Sequence, residues 1–461
     1  MKIKIKKLFL IPLFVWLGIF DFFSIKAAYK YVSSPKSNDL ANIRTGANSN
    51  IPSIPATPPE RFPDNEVFFD GQFDDQITVG LLHSLSGTMA ISEVTLFEAE
   101  KLAIEEINNS GGILLNGKRY EIKYILEDGE SDWPTFAKKA NKLITKNKVP
   151  VVFGGWTSAS RKAMLPVFEN HDGLLFYPIQ YEGQECSKNI FYTGAIPNQQ
   201  VEPATLFMLR RSPAAGKPFF LVGSDYVFPR TINTITKYLL KDMGGEVMGE
   251  DYLPLGNTNV DPIIRKIKYS LPKGGVIVNT LNGWQNITFF RQLQYEGMTP
   301  ENGYYVMNYS ITEEEISAIG PEYLEGHYAA WNYMMSINSK KSREFVSNFQ
   351  KKWGYDRNVA DPQESAYNMI YLWKKAVEKA GKFNEKAVRT ALIGVTFDAP
   401  QGTIKVMPNH HISQNIRIGE INSRGQFTIV EESSEAIKPK TWNYYIPITR
   451  NKVCNWSKNF R

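Results

Sequence analysis

The chain has 461 residues, of which 43% are hydrophobic and 22% are charged, and this balance excludes a disordered or fibrous protein. The length suffices for two or three domains. The formal net charge of +6 would favour an acidic partner, but residues 1–27 contain five lysines and one aspartate, so the remainder carries only +2. The charge is therefore poor evidence for a nucleic-acid partner, and we expect none.

Residues 1–27 have the three parts of a secretory signal peptide. Four lysines lie within residues 1–7, an apolar run fills residues 8–20, and small residues follow that suit cleavage. We predict export to the periplasm, with an uncleaved membrane anchor as the alternative, although the apolar run is short for a membrane span. Residues 28–75 are rich in Pro, Ser and Asn, which predicts a flexible tether.

The chain has only two cysteines, Cys186 and Cys454. An exported chain permits a disulfide between them, but two cysteines so far apart in the sequence do not establish one.

Strands and helices alternate from residue 76 onward. Residues 77–82 are predicted to form a strand, and a helix is expected from Ser92 because apolar residues recur at helical spacing. The residues expected on its buried face are Leu96, Ala99, Ala103 and Ile107. Further strands are predicted at residues 120–126, 149–153 and 174–177. Strands separated by helices predict a parallel sheet with crossover connections.

A second alternation of the same kind follows, which predicts two α/β lobes with a cleft between them. The predicted boundaries are residues 76–196 for lobe 1 with 331–395 returning to it, residues 197–330 for lobe 2 with 396–430 partly returning to it, and residues 431–461 for a C-terminal extension. More than one predicted crossing joins the lobes, and a cleft between two such lobes is a preferred site for a small ligand.

Polar and aromatic residues follow two of the predicted buried strands in lobe 1. They are Trp156, Thr157 and Ser158 after the first strand, and Gln180, Tyr181 and Glu182 after the second. In an open α/β sheet, ligands bind beyond the carboxyl ends of the strands. The simpler alternative is that Ser158 caps a helix and that Trp156 and Tyr177 belong to the core. The pocket interpretation is favoured because both strand ends are polar and aromatic at once.

Most motifs for catalysis are missing from the sequence. It contains no HExxH, no GxSxG around Ser86, no P-loop and no GxGxxG after the first strand. His410 and His411 are adjacent, a spacing that does not place both on one face of a helix. We therefore predict a binding protein and not an enzyme, with no metal and no cofactor.

Several segments resemble the urea and short-chain-amide branch of the leucine-binding-type periplasmic proteins. They are HSLSGTMAISE, GGWTSASRKAMLPVFE, LLFYPIQYEGQE, NIFYTGAIPNQQ, GSDYVFPR, DAPQG and the NHH that follows it. The resemblance covers residues 77–430 in the expected order. It implies a type I periplasmic binding fold with a parallel sheet and flanking helices in each lobe. It also implies a receptor that captures urea and delivers it to the permease subunits of an ATP-driven importer, and we expect this receptor to be a monomer.

The resemblance also implies where the ligand binds. The family's pocket positions correspond to Ser86, Trp156, Ser158, Tyr177, Gln180, Tyr226 and Phe228. Thr157 adjoins them, and Trp284 stands where relatives tend to have an acidic residue, so a contact from the second lobe can differ here.

These residue types suit urea, which is planar and uncharged and offers N–H donors beside one carbonyl acceptor. An unpaired buried polar group costs about 1–3 kcal/mol, so a selective site must pair nearly all of them. Ser158 and N–H groups at a helix start suit the carbonyl, Gln180 and Glu182 can accept from the amines, and the rings form a slot. The alternatives are a receptor for other short amides or branched-chain amino acids, and a cytoplasmic amide-sensing regulator, which the signal peptide and tether disfavour.

Overall fold

The computed structural model describes residues 69–457, so the predicted signal peptide and most of the predicted tether lie outside the described residues. The end of the predicted tether contacts the first lobe. The N–H of Phe69 donates to the carbonyl of Asn109 at 2.7 Å, and that of Asp74 donates to the carbonyl of Arg119 at 2.9 Å. The Phe69 ring also lies against the guanidinium of Arg119 and the ring of Phe73. The tether prediction was therefore wrong for residues 69–75. Their backbone hydrogen bonds and the rings of Phe69 and Phe73 attach them to the first lobe.

The elements alternate as the sequence predicted. The helices are α1 (Ala90–Asn109), α2 (Trp133–Thr145), α3 (Ser158–Asn170), α4 (Val201–Arg210), α5 (Val227–Met243), α6 (Asp261–Ser270), α7 (Gln285–Tyr295), α8 (Glu313–Ile319), α9 (Lys340–Trp353), α10 (Asp361–Ala380) and α11 (Glu385–Leu392). The strands are β1 (Asp75–His83), β2 (Ile113–Leu115), β3 (Lys118–Asp128), β4 (Val152–Gly154), β5 (Leu175–Tyr177), β6 (Ile190–Tyr192), β7 (Phe219–Ser224), β8 (Val247–Leu253), β9 (Gly275–Thr280), β10 (Tyr304–Asn308), β11 (Tyr328–Trp331), β12 (Thr396–Ala399), β13 (Gly402–Val406), β14 (Ile412–Ser413), β15 (Arg417–Ile421) and β16 (Phe427–Glu432).

The first lobe is a sheet in the order β2-β3-β1-β4-β5-β6, parallel except for the β2–β3 pair. Helix α1 begins two residues before the predicted Ser92, and the four residues of its predicted apolar face are all buried. Helices α9 to α11 and the small sheet β12-β13-β14 contribute to the same core. This core therefore joins residues that are far apart in the sequence.

The second lobe is a sheet in the order β16-β15-β11-β10-β9-β7-β8. Strands β7 to β11 pair in parallel, and β15 and β16 add an antiparallel edge. Alternate residues of β7 enter different cores, with Phe219 and Leu221 in one and Phe220 and Val222 in the other. Because successive strand residues point to opposite faces, the sheet is buried on both sides. The predicted fold class, two α/β lobes with parallel sheets and flanking helices, is confirmed.

The chain passes between the sheets in three places. The crossings are residues 193–200, 332–339 and 414–416. One carboxylate oxygen of Asp361 accepts the N–H groups of Asn332 at 2.9 Å and Tyr333 at 2.8 Å. The buried Arg417 donates to the carbonyl of Asn332 and, at 3.0 Å, to that of Gln401. The side-chain amide of Asn332 also donates to the carbonyl of Asn415, so two of the crossings are bonded to each other.

Cys186 and Cys454 are joined by a disulfide, with their Cα atoms 5.8 Å apart. The pairing that the sequence left open is therefore present. It attaches the C-terminal extension to the loop that follows β5 in the first lobe.

Candidate ligand-binding cleft

The loops of both lobes reach the cleft from the carboxyl ends of parallel strands. Strands β4 and β5 supply the loops of the first lobe, and β7, β9 and β10 supply those of the second. This arrangement follows from strand direction alone, because parallel strands end at the same edge of a sheet.

Helix α3 begins at the cleft, and its cap is Thr157 and not Ser158. The Thr157 hydroxyl oxygen accepts the N–H of Ser160 at 2.9 Å. Ser158 is therefore available for another contact, and its hydroxyl donates to Oε2 of Glu182 at 2.5 Å. The alternative interpretation of Ser158 as a cap was wrong, whereas the capping role belongs to its neighbour. The first turn of α3 also presents backbone N–H groups that have no partner within the helix.

Arg161 is completely buried behind Ser158 and organises this side of the cleft. Its Nε donates to Oε1 of Glu185 at 2.9 Å, and its Nη2 lies 3.3 Å from Oε1 of Glu182. The guanidinium also lies 4.7 Å from the ring centre of Tyr177 and 4.1 Å from that of Tyr181. Such contacts stabilise a desolvated cation.

Charges balance within this cluster. Burial by itself would raise the pKa of Glu185, but the charges of Arg161 and Lys162 outweigh it and lower the pKa to about 2. Lys162 Nζ lies 3.1 Å from Glu185 and 3.8 Å from Glu182. Two cations therefore face two carboxylates before any ligand is considered. Sequence reasoning missed Arg161, because arginine is almost never fully buried and nothing in the local pattern marks it.

Trp156 connects the two lobes. Its carbonyl accepts a hydrogen bond from the hydroxyl of the buried Tyr177. Its indole N–H makes a long contact of 3.5 Å with the side-chain oxygen of Asn282, which lies on the loop after β9. Trp156 and Asn282 are both buried, so this contact is shielded from water.

Gln180 also spans the cleft, and one of its polar atoms is unpaired. Its Nε2 donates to the carbonyl of Tyr309 at 2.8 Å, on the loop after β10. The carbonyl can only accept, which fixes the orientation of the amide group. The Oε1 atom of Gln180 is then buried with no hydrogen-bond partner among the described residues, and so is the hydroxyl of the neighbouring Ser310.

Tyr226 and Phe228 enter the cleft from the start of α5. Both are buried, and their ring centres lie 6.4 Å apart. Burial raises the pKa of Tyr226, and Tyr177 and Glu182 of the first lobe, which lie close to it, raise it further. The structure thus brings seven predicted residues into the buried surface around the cleft: Trp156, Thr157, Ser158, Tyr177, Gln180, Tyr226 and Phe228. That they bind a ligand stays a prediction.

Ser86 and Trp284 are not part of this buried group, and their predicted placement is corrected. Ser86 is exposed, and its hydroxyl donates to Oδ2 of Asp128 at 2.8 Å, which holds it to the outside of the first loop. Trp284 is 50% exposed; it directly precedes α7, and its side chain makes no capping hydrogen bond. Asn282, two residues earlier, makes the inward contact. Which of the two residues contacts a ligand stays a prediction.

Further bonds between the lobes lie at the edges of the cleft. The Ser92 hydroxyl on α1 donates to Oε1 of Glu315 on α8 at 2.8 Å. Arg357 Nη2 lies 2.6 Å from Glu98 of the first lobe and 3.2 Å from Glu314 of the second. The two lobes therefore touch directly at the edges of the cleft.

Within residues 69–457, no group of three or more His, Cys, Asp or Glu side chains is placed to hold a metal ion. Among the same residues, every helix is too short or too polar to cross a membrane.

A sequence model of the periplasmic binding protein domain matches residues 77–447. The chain therefore belongs to the periplasmic binding protein family. It is similar to a Leu/Ile/Val-binding protein homolog from Brucella melitensis, with 24% identity over 76% of this chain and 88% of that protein. It is also 24% identical to the leucine-, isoleucine-, valine-, threonine- and alanine-binding protein of Pseudomonas aeruginosa, over 72% of this chain and 85% of the relative.

One further match is partial. A stretch of 122 residues is 32% identical to part of a limonene hydroxylase from Geobacillus stearothermophilus, and it covers 26% of this chain and 22% of that protein. Because the chain spans only about a fifth of that relative, no activity is carried over from it.

Solved structures agree with the fold. A solute-binding protein of an ABC transporter from Rhodopseudomonas palustris, in complex with 4-hydroxybenzoate, has a TM-score of 0.69 at 21% identity over 79% of this chain and 98% of its own. A branched-chain amino acid transporter substrate-binding protein from Streptococcus pneumoniae, in complex with isoleucine, has a TM-score of 0.67 at 19% identity over 79% of this chain and 100% of its own. At these identities the likeness establishes the fold and not the ligand.

Proposed function

We propose that this chain is the solute-binding component of an ATP-driven importer, and that it captures urea between its lobes and delivers it to membrane permease subunits. The general role follows from the periplasmic binding protein family, in which similar solved structures are named as solute-binding proteins of ABC transporters. The choice of urea rests on one observation, the unpaired amide oxygen of Gln180.

An unpaired buried acceptor favours a ligand that donates N–H groups. The Oε1 atom of Gln180 can only accept, and leaving it unpaired costs about 1–3 kcal/mol. A urea amine can pair it directly, whereas benzoate, whose only polar group is a carboxylate, has no hydrogen to donate. The unpaired hydroxyl of Ser310 and the N–H groups at the start of α3 supply donors for the urea carbonyl.

The balanced charge of the cleft favours a neutral ligand. Arg161 and Lys162 are paired with Glu182 and Glu185, so none of these groups is left over for a charged solute. An α-amino acid needs an acceptor with negative charge for its ammonium group, and the second lobe offers the neutral Asn282 beside Trp156. Burying an unpaired charge is far more costly than burying a hydrogen-bonded amide.

The shape of the side chains agrees with a flat solute. Trp156, Tyr177, Tyr226 and Phe228 are all buried around the cleft and present planar surfaces. A solute that contacts both lobes favours the closed arrangement, and closure is the signal that a permease can recognise. Membership in the periplasmic binding protein family supports an extracytoplasmic location, and the predicted signal peptide supports the periplasm.

The proposal is tested by a thermal-shift panel on the purified protein with urea, acetamide, leucine, isoleucine and benzoate. A ligand that binds only the native form raises the melting temperature. We expect the largest rise with urea, a smaller rise with acetamide, and none with the other three compounds. A rise with leucine or benzoate and none with urea would refute the urea assignment and would favour the ligand classes named for the similar proteins.

A variant pair assigns the response to the cleft. Gln180→Leu removes the unpaired oxygen, whereas Gln294→Leu changes an exposed glutamine on α7. We expect Gln180→Leu to weaken urea binding at least about tenfold, or about 1.4 kcal/mol, and Gln294→Leu to leave it unchanged. Ser158→Ala should weaken binding by a similar factor, because it breaks the bond that fixes Glu182. Unchanged affinity in both cleft variants would place the ligand elsewhere.

A further inference from the structure

The C-terminal extension lies along the loop that carries Gln180. We call residues 437–456 the strap and residues 180–186 the ligand loop. Two hydrogen bonds join them: the N–H of Gln184 donates to the carbonyl of Thr441 at 2.9 Å, and the hydroxyl of Thr449 donates to the side-chain oxygen of Gln184. The disulfide between Cys186 and Cys454 adds a covalent link.

The backbone of the ligand loop is strained where the strap contacts it. Gly183 and Gln184 have φ angles of 65° and 63°, both in the left-handed region. This conformation is unfavourable for a residue with a side chain, and it persists where surrounding structure enforces it. A Cβ atom on Gly183 would lie 2.8 Å from the carbonyl oxygen of Thr441, so the strap approaches the loop as closely as glycine permits.

The strap is itself anchored to both sides of the nearest crossing. Asn198 in the crossing donates to the carbonyl of Lys438 at 2.9 Å and accepts the N–H of Lys440 at 2.9 Å. The side chain of Asn443 donates to Glu202 in the first turn of α4, in the second lobe, at 2.7 Å. Asn409 donates to the hydroxyl oxygen of Thr441 at 2.9 Å. The strap is therefore a fixed support and not a loose tail.

A second set of contacts also supports the ligand loop. The hydroxyl of Tyr181 and Nε2 of His411 lie 2.6 Å apart, and His411 stacks on Tyr192 with ring centres 4.4 Å apart. Burial lowers the pKa of His411 to about 4, so the ring is neutral at pH 7 and can take part in this hydrogen bond without burying a charge.

We propose that the strap is part of the ligand site, and that it positions the ligand loop so that Gln180 and Glu182 face the cleft. The proposal deepens the proposed function, since it concerns the same site, and it rests on that function for the choice of urea as the titrant. In this proposal Thr449 and the disulfide act by positioning, because they contact the ligand loop and are not expected to contact the solute. A strap that only added stability would leave loop geometry and affinity unchanged when its links are cut.

The test removes each of two links between the strap and the ligand loop, and it includes a measurement that needs no ligand. Cys186→Ser together with Cys454→Ser removes the disulfide, and Thr449→Val removes the hydrogen bond to Gln184 while keeping the disulfide. Thr449→Ser keeps the hydroxyl and serves as rescue, and Thr390→Val, at an exposed position on α11, is the matched control. Hydrogen–deuterium exchange is followed in residues 178–187 and, as an internal reference, in residues 113–126.

We expect exchange in residues 178–187 to accelerate at least about tenfold in the serine double variant and several-fold in Thr449→Val, with residues 113–126 unchanged. Urea affinity should fall at least about tenfold in the double variant, and wild-type protein treated with a reducing agent should behave in the same way. Thr449→Ser and Thr390→Val should match the wild type. If the double variant does not fold, the reduced wild type and Thr449→Val carry the test.

A lower melting temperature with unchanged loop exchange and unchanged affinity would overturn the proposal, because the strap would then serve stability alone. The two proposals fail separately. If the wild type does not bind urea, the urea assignment fails, and the strap proposal is decided by the exchange of residues 178–187.

Discussion

Arg161 offers a sharp test of the electrostatic account of the cleft. Replacing it with methionine keeps most of the side-chain volume but leaves Glu182 and Glu185 buried with only Lys162 nearby, which is 38% exposed. Removing one partner of a buried ion pair costs about 3–5 kcal/mol, because an uncompensated charge remains in the interior.

The pKa of Glu185 gives a second route to this magnitude. Its value of about 2 lies about 2.5 units below the ordinary 4.5. At about 1.36 kcal/mol per unit, the net effect of burial, neighbouring charges and hydrogen bonds on this carboxylate corresponds to about 3 kcal/mol at pH 7. A depressed carboxylate pKa stabilises the folded state above pH 4.5, and this contribution is lost as the pH falls from 4.5 towards 2. The loss caused by Arg161→Met should therefore be less than half as large near pH 3 as at pH 7, and it does not vanish at pH 3 because that pH still lies above the folded pKa of about 2.

The assay is guanidinium-induced unfolding of the wild type and the variants at pH 7 and pH 3. We expect Arg161→Met to lower the free energy of unfolding by about 3–5 kcal/mol at pH 7. Adding Glu185→Gln to it should recover part of the loss. Arg161→Lys should fall between, because lysine cannot match the two-pronged contact to both carboxylates. A loss below 1 kcal/mol, or one of equal size at both pH values, would refute this reasoning.

Three further predictions concern single residues. Burial raises the pKa of Glu313 to about 8, so its contribution to stability is lost as the pH rises from 4.5 through 8. The melting temperature of Glu313→Gln should therefore rise relative to that of the wild type between pH 5 and pH 9. A difference in melting temperature that stays constant over this range would contradict the prediction. Gly194→Ala should weaken urea binding at least about tenfold in calorimetry, since its Cβ would lie 2.4 Å from the backbone nitrogen of Gln180, and unchanged affinity would show that the loop can yield. Trp284→Ala should leave urea affinity within about twofold of the wild type, whereas Asn282→Leu should weaken it. A larger loss of affinity in Trp284→Ala than in Asn282→Leu would show that Trp284 is the contact residue.

Features set by local pattern could be predicted from the sequence. The spacing of apolar residues in α1 predicted its buried face, and the alternation of strands and helices predicted two lobes with parallel sheets. The loops after β4 and β5 could be placed at the cleft because strand direction alone determines which end faces it. For the same reason Trp156, Ser158 and Gln180 could be selected.

Features set by contacts between distant residues could not be predicted. Nothing near Arg161 in the sequence indicates that it will be buried and paired with two carboxylates more than twenty residues away. The choice between Asn282 and Trp284 depends on how the first turn of α7 is rotated, which two residues of sequence do not reveal. The pairing of Cys186 with Cys454, 268 residues apart, depends on where the C-terminal extension runs.

The central claim is that the cleft binds a small neutral diamide, and calorimetric titration of the purified protein with urea tests it most directly. We predict saturable one-to-one binding of urea, weaker binding of acetamide and no heat of binding with leucine. Leucine binding in the absence of any urea response would contradict the account.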